Sequence, residues 1–403
     1  MLRTLRSVAR FARPVLSPRR RRFLRAANVG DLREIARRRL PGGIFDYIDG
    51  GAEDETSLRG NTAAFAGYGF RPRVMRDVSH VDTSVDLLGH RLGSPLVFSP
   101  TGFTRIAHSQ GELAVARVAG AHGLPYALST LSTRSIEEVA AVTTGPKWFQ
   151  VYVWRDRGMV RDMLRRAATC GYDTIMITVD TAVLGRRERD VRRGFTLPPK
   201  LGPGTLVDGL RHPAWTWDFV RHEPITFANV AGSGPDGSGT AVTLSDFISE
   251  QFDPALSWDD LDWFRSEWQG KVLLKGVQTV EDAVTAVQRG ADGVMLSNHG
   301  GRQLDGAPAP VDLVRPVREA LGPGATVICD GGVRRGGDIV KAIALGADAC
   351  TMGRTYLYGL GAAGEAGVER AHAMLTDELR RAMQLCGVRT IAEITPDLVE
   401  ALR

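Results

Sequence analysis

KVLLKGVQTVEDAVTAVQRGADGVMLSNH, residues Lys271–His299, is the stretch that decides the fold. It holds an apolar run (Lys271–Val277), a helix-patterned segment (Val280–Arg289) and a second apolar run (Gly293–His299). Runs that are apolar nearly throughout suit parallel strands covered on both faces. Working outward, the same unit recurs. Upstream lie Pro95–Thr101 (PLVFSPT), Pro125–Thr130 (PYALST), Lys147–Trp154 (KWFQVYVW) and Thr174–Asp180 (TIMITVD). Downstream lie Ala325–Gly331 (ATVICDG) and Ala349–Arg354 (ACTMGR). Helical patterns separate them, as at Gly111–His122, Ile136–Val142 and Gly337–Leu345. Eight such units over roughly 280 residues match an α/β fold of the closed (β/α)8 TIM-barrel kind. An open doubly wound sheet would carry a glycine fingerprint after its first strand, and there is none.

Two segments fall outside the repeat. Residues 29–75 form an N-terminal helical extension, with an amphipathic stretch (Leu32–Leu40) followed by PGGIFDY (Pro41–Tyr47). A long insert, about Gly185–Trp258, separates strands four and five and carries Trp215, Trp217 and Phe219. Loops of that length are usually lids, binding loops or disordered inserts. The domain organisation expected is a basic disordered arm over residues 1–28, then one domain over 29–403 with the barrel beginning near residue 95.

The chain has 403 residues and a net charge of +5. Residues 1–30 hold nine arginines and no acid; without them 42 Lys+Arg stand against 46 Asp+Glu, a net of −4. The body is therefore mildly acidic, and the overall charge does not describe a nucleic-acid surface. No apolar run is long enough to span a membrane. The arginines also interrupt any secretory signal core, and an Arg-rich, acid-free start superficially fits a transit peptide. Cys170, Cys329, Cys350 and Cys386 form no CxxC pair, so neither a disulfide framework nor a metal is expected. A G-x-G-x-x-G occurs at Gly232–Gly237 within the insert, but proline and further glycine follow it instead of a helix, so a dinucleotide reading is rejected.

Polar groups gather at the predicted strand ends, where barrel enzymes place their chemistry. DGGVRRGG (Asp330–Gly337) follows strand seven and MGR (Met352–Arg354) follows strand eight. Glycines admit an anion close to backbone amides, and Arg334 and Arg354 add charged donors, which favours a phosphate over two plain turns. SNHGGRQLD (Ser297–Asp305) follows strand six and puts His299 three residues from Arg302, a guanidinium suited to a carboxylate. Asp180 closes strand four and can orient that imidazole. Lys275 near the end of strand five can offset charge on a bound anion. Gln150 and Tyr152 share one face of strand three, and Ser129 and Thr178 add hydroxyls.

With these residues the chain resembles the FMN-dependent L-2-hydroxy acid dehydrogenase/oxidase family from about Val29 to near the C-terminus. The motifs that carry the likeness are FDYIDGGAEDE (Phe45–Glu55), SPTGF (Ser99–Phe103), WFQVY (Trp148–Tyr152) and TVDTAVLGRRE (Thr178–Glu188). LLKGV (Leu273–Val277), SNHGGRQLD (Ser297–Asp305) and DGGVRRG (Asp330–Gly336) complete the set. The SPTGFTR start, the KWFQVY strand and the YLYGL segment look most like respiratory L-lactate dehydrogenases of bacteria. The resemblance implies FMN as cofactor. It implies His299 as base, whether the substrate Cα hydrogen leaves as hydride or as proton, with Asp180 stabilising the imidazolium. Arg302 and Tyr47 would hold the substrate carboxylate, with Arg187 close behind, and Tyr152 would bind its oxygen. Lys275 would stabilise reduced flavin. Gly102, Ser129, Gln150, Thr178 and Lys275 would meet the ring and ribityl chain, and Asp330, Gly332, Arg334, Gly353 and Arg354 the ribityl end and phosphate.

The activity implied is oxidation of L-lactate, or a similar L-2-hydroxy acid, to pyruvate or its analogue, with electrons passed to a quinone or cytochrome. An oxygen-using 2-hydroxy acid oxidase or lactate 2-monooxygenase is the alternative, followed by a non-redox flavin isomerase and a non-catalytic phosphate-binding barrel. Gly102, alanine in many oxidases of the family, favours the dehydrogenase. Leu131, a large aromatic in glycolate oxidase, favours lactate over glycolate. The resemblance further implies a homotetramer or larger, cytoplasmic or docked on the inner face of an anionic membrane. Trp215, Trp217 and Phe219 beside Arg211, His212, Arg221 and His222 suit such docking; a lid over the site is the competing reading.

Overall fold

The computed structural model describes residues 17–193, 202–230 and 250–402. Eight parallel strands close into a ring: β1 (Leu96–Phe98), β2 (Tyr126–Ser129), β3 (Lys147–Tyr152), β4 (Thr174–Thr178), β5 (Lys271–Val277), β6 (Gly293–Ser297), β7 (Thr326–Asp330) and β8 (Ala349–Met352). Closure is made where β8 meets β1, with Cys350 opposite Leu96 and Met352 opposite Phe98. Nearly every strand residue is buried, which is why these runs are apolar without alternation. The (β/α)8 barrel expected from the sequence is the architecture observed. Seven of the expected strands run one to three residues too far at their C-terminal ends, because Thr130, Asp180 and His299 already belong to the loops of the barrel mouth and Arg354 to the helix that follows. Lys271–Val277 matches in full.

Helices α1 (Pro18–Arg25), α2 (Val29–Arg39), α3 (Gly42–Asp49) and α4 (Thr56–Ala66) precede the ring. The expected disordered arm is thus helical over Pro18–Arg25, with no residue of that helix buried; residues 1–16 lie outside the described part. Helix α2 begins where the Asn28 side chain accepts from the Asp31 amide at 3.0 Å, and buries Val29, Leu32 and Ala36. The barrel helices are α5 (Gly111–Ala121), α6 (Ile136–Ala141) and α7 (Arg157–Thr169) in the first half. The insert contributes α8 (Glu188–Arg193), α9 (Pro203–Arg211) and α10 (Pro213–Arg221). Then come α11 (Trp258–Glu267), α12 (Val280–Gln288), α13 (Pro310–Leu321), α14 (Gly336–Leu345), α15 (Arg354–Ala363) and the long C-terminal α16 (Glu365–Cys386). Much of the insert's described part is therefore helical, not loop; Gly232–Gly237 falls outside the described residues. All four cysteines are free, and Cys329, Cys350 and Cys386 are buried as expected of small apolar residues.

The extension is docked on the mouth by a buried carboxylate. Asp49, at the end of α3, accepts from Arg33 Nε at 2.6 Å and Nη2 at 2.7 Å, from Arg189 Nη1 at 3.0 Å and from the Tyr358 hydroxyl at 2.8 Å. Burial alone would push its pKa up, but the Arg33 and Tyr358 bonds reverse this and hold it below the usual carboxylate value. One charge thereby ties α2, α3, α8 and α15 together. On α4, Asn61 pairs with Asn298 through reciprocal amide bonds of 2.7 Å, and Asp305 accepts from the Thr56 and Ser57 amides at the helix start.

A register shift between Lys275 and Val277 marks a bulge in β5, centred on Gly276 with φ +101°. A Cβ there would sit 2.6 Å from the Asp180 Cγ, so only glycine lets the Asp180 carboxylate occupy its place. Gly290 has a similar φ of +92°, yet its Cβ would meet only Arg265 Nε, at 4.0 Å. We therefore expect Gly290→Ala to cost about 1–2 kcal/mol of backbone strain and Gly276→Ala distinctly more. Denaturant unfolding of both variants checks this, and equal losses would dissociate Gly276 from Asp180.

Candidate active site

The C-terminal ends of the strands surround a cavity of about 430 Å3, within the range of small-molecule sites. Of the groups singled out in the sequence, Tyr47, Gly102, Tyr152, Arg187, Lys275, His299, Arg302, Asp330, Gly332, Arg334, Gly353 and Arg354 all line it. Asp180 stands just behind His299. Ser129, Gln150 and Thr178 lie beneath the wall and not on it: Ser129 Oγ donates to Gln150 Oε1 at 2.9 Å, and Gln150 Nε2 donates to Thr178 Oγ1 at 2.8 Å.

His299 adopts a left-handed backbone, φ +57°, uncommon outside glycine and characteristic of positions held for a purpose. The conformation is pinned by its amide, which donates to Ser297 Oγ at 3.0 Å. Its Nδ1 lies 3.0 and 3.3 Å from the two oxygens of Asp180. Burial, and then the charge of Lys275, lower the His299 pKa from 6.5 even though Asp180 opposes them. Burial pushes Asp180 upward, but His299 and Lys275 outweigh it and keep the acid below its ordinary value. The resting pair is thus a carboxylate beside a neutral imidazole. Nδ1 faces the carboxylate and carries the proton, so the Nε2 lone pair is left basic. Tyr152 remains a phenol, because burial and then Asp180 raise its pKa.

The carboxylate-seeking group is equally specific. Arg302 donates through Nη1 to the carbonyls of Tyr47, at 2.6 Å, and Gly50, at 3.2 Å. Its guanidinium carbon lies 5.0 Å from the Tyr47 ring centre, with that of Arg187 at 5.7 Å from the same ring. Burial and the neighbouring Arg187 press Arg302 down to about 9; it is still charged at neutral pH, and an anion beside it is strongly favoured.

At the other end, the N-terminus of α15 has no side-chain cap and opens with Gly353 and Arg354, a disposition that attracts anions. The start of α14 is different: Asp338 accepts from the Arg334 and Arg335 amides, and Glu378 accepts from Gly336. Gly332, at φ +81°, leaves no room for a Cβ against the Asn61 carbonyl. Three of the N–H groups of Arg354 are donated to the carbonyls of Ile48, Gly300 and Gly50 at 2.7–2.9 Å, so this residue builds the mouth as well as charging it. Asp330 is the hub of the floor: it accepts from Ser99 at 3.1 Å, Ser297 at 2.7 Å and Thr351, and lies 3.7 Å from Lys275 Nζ.

Several contributors carry no signal in the sequence. Gln303 donates to the carbonyls of Asp180 and Val183, both at 2.9 Å, and accepts from the Gly185 amide at 3.0 Å, which locks the loops after β4 and β6 to each other. Phe227 and Phe252, from the insert, supply apolar wall, with Phe252 edge-on to Tyr152 at 5.1 Å. Their positions depend on where the insert returns to the barrel, and only their aromatic character is visible beforehand.

The family signature of FMN-dependent dehydrogenases matches residues 36–401. An L-lactate dehydrogenase of Caulobacter vibrioides is 44% identical over 377 residues, 93% of this chain and 97% of that one. The crystal structure of a monotopic membrane protein, (S)-mandelate dehydrogenase, superposes with a TM-score of 0.90 at 39% identity, covering 94% of this chain and all of that one. A mandelate oxidase variant with (S)-mandelic acid gives a TM-score of 0.79 at 37% identity, over 93% of this chain and 98% of that one. A barrel whose mouth pairs an anion-seeking helix start with a histidine–aspartate dyad, matched over almost its whole length, thus places the chain in the FMN-dependent dehydrogenase family, with FMN as its cofactor.

Proposed function

We propose that this enzyme oxidises L-lactate, or a closely similar L-2-hydroxy acid, to the 2-oxo acid and delivers the electrons to a quinone or cytochrome. The observation that carries the reading is the convergence of the His299–Asp180 pair, Arg302, Tyr47 and Tyr152 on one wall of the cavity. The donor set suits FMN. Gly332, Gly353, Arg334 and Arg354 would take the phosphate, Asp330 the ribityl end, and Gly102 and Lys275 the ring. Ser129, Gln150 and Thr178 would support that wall from below. FMN, when bound, accepts the two electrons released from the substrate.

The chain's own residues do the rest. Arg302, steadied by the Tyr47 and Gly50 carbonyls, pairs with the substrate carboxylate beside the Tyr47 ring, and Arg187 adds charge from behind. Tyr152 donates to the substrate oxygen at C2. Nε2 of His299 takes the proton, and Asp180 stabilises the imidazolium that results. Lys275, itself buried, holds positive charge where negative charge develops. Leu131, Phe227 and Phe252 leave an apolar side open for the substituent, which suits a methyl or larger group. Gly102 stands where the resemblance gives alanine in many oxidases, and this supports a non-oxygen acceptor; a methyl there would lie 3.1 Å from the Leu131 Cβ.

The insert serves two faces. Trp215 donates to the Ile106 carbonyl at 2.8 Å and stacks on Phe219 at 4.8 Å. Asp218 accepts from Ser109, so this side of α10 lies on the rim as a lid. Its other side exposes Trp217 and Val220 beside Arg221, and α9 exposes Leu210. Among the described residues no helix is long and apolar enough to cross a membrane; we place peripheral contact with an anionic bilayer on this outer face. Of the aromatic and basic residues expected to dock, Trp215 and His212 instead turn inward.

Mixing the enzyme anaerobically with L-lactate should bleach the flavin absorbance. His299→Gln should retain FMN yet bleach about 10²- to 10⁴-fold more slowly. Subsequent reoxidation should be faster with quinone than with oxygen, and the reverse order would convert the assignment to an oxidase. Because the base works unprotonated and its pKa is lowered, kcat/KM should rise with pH through a pKa below 6.5 and then level off. An acid limb above 7 would remove His299 from that role. Co-sedimentation with anionic vesicles should fall when Trp217 and Leu210 are both changed to Ser; protein that stays in the supernatant at low salt without these changes argues for the lid alone.

A further inference from the structure

The opposite end of the barrel carries a cluster with a different chemistry, and we propose that His122, Glu369 and His372 bind a divalent transition-metal ion, with Zn2+ as the best fit. His122 follows α5 and precedes β2, at the face where strands begin. Glu369 and His372 lie on α16, three residues apart and so on one face of the helix. One candidate ligand atom from each residue lies within 4.8 Å of the others. Nε2 of His122 is 2.9 and 3.0 Å from the two carboxylate oxygens of Glu369, and the two imidazole rings are 4.0 Å apart, centre to centre.

The His122–Glu369 hydrogen bond accounts for two of the three residues and leaves His372 unexplained. That side chain is buried, its Nε2 meets Thr376 Oγ1 at 3.2 Å, and its Nδ1 is enclosed without a hydrogen-bond partner. A buried nitrogen in that state is costly unless something else engages it. A metal ion does so. One ring nitrogen is oriented by a neighbouring group and the other is left to ligate, as in most histidine metal sites. Two imidazoles and one carboxylate are a common zinc donor set, with water in the fourth position. The half-exposed His122 and Glu369 side chains give a path from solvent, and they can close on an ion at about 2.0–2.1 Å. Phe98 stacks on His372 at 6.2 Å and forms a dry inner wall. His122, just past the end of α5, is 247 residues from Glu369 on α16, so no local spacing announces the set. The site joins the end of α5 to α16 away from the mouth, and is therefore separate from the flavin cavity.

The test is a titration of chelator-washed, full-length FMN-loaded enzyme with Zn2+, followed by Co2+ as a coloured substitute. The expected result is about one ion per chain, a visible Co2+ spectrum of nitrogen–oxygen ligation and a raised unfolding temperature. His122→Gln combined with Glu369→Gln should weaken binding by at least about tenfold and remove the Co2+ bands, with lactate-driven bleaching unchanged. If the pair fails to fold, Glu369→Gln alone replaces an exposed ligand and is read in the same way. A wild type that retains no metal overturns the proposal, and so does undiminished binding by the variants.

Discussion

Arg302 and Arg354 enter the barrel mouth from the loops after β6 and β8, and between them they donate to the carbonyls of Tyr47, Ile48, Gly50 and Gly300. Burial lowers the pKa of both. Cations withdrawn from water need oxygen partners, and the carbonyls at the end of α3 supply part of that need. The N-terminal extension therefore cannot leave without stranding both charges. Tyr47 is held over Arg302 for the same reason, and the remaining demand for negative charge is directed into the cavity, where a carboxylate and a phosphate would meet it.

The dyad depends on a second constraint, the crowding of β5 against the end of β4. Asp180 reaches His299 because Gly276 has no side chain, and His299 turns back towards Asp180 because its backbone is left-handed. Gln303 bonds the two loops together. Each feature carries strain or lost entropy, and together they hold the imidazole in one tautomer before any substrate arrives. The insert adds enclosure, with Phe227 and Phe252 closing the apolar side while the outer face of α10 stays exposed.

The barrel was legible because its strands are buried on both faces. Parallel strands under two helical layers must be apolar throughout, and that uniformity recurs eight times between Leu96 and Met352. The site was legible to nearly the same degree, because a closed parallel ring gathers all strand ends at one mouth. Any polar residue written just after a strand, such as Asp180, His299 or Arg334, is delivered there by topology. Less legible were side-chain directions over distances shorter than a strand. Ser129, Gln150 and Thr178 sit under the wall instead of on it, and Trp215 and His212 turn inward, because side-chain direction at a rim is set by neighbouring loops.

By itself the sequence determined the strand count, the side of the barrel that is reactive, and the residue types assembled there. These follow from periodicity and topology, which are local or nearly so. Only the tertiary structure decided which carbonyls quench the buried arginines, why position 276 must be glycine, and that His122 meets two residues of the last helix. Those contacts join segments from 54 to 306 residues apart, and the energy that fixes them is the packing of surfaces that become neighbours only after the ring has closed.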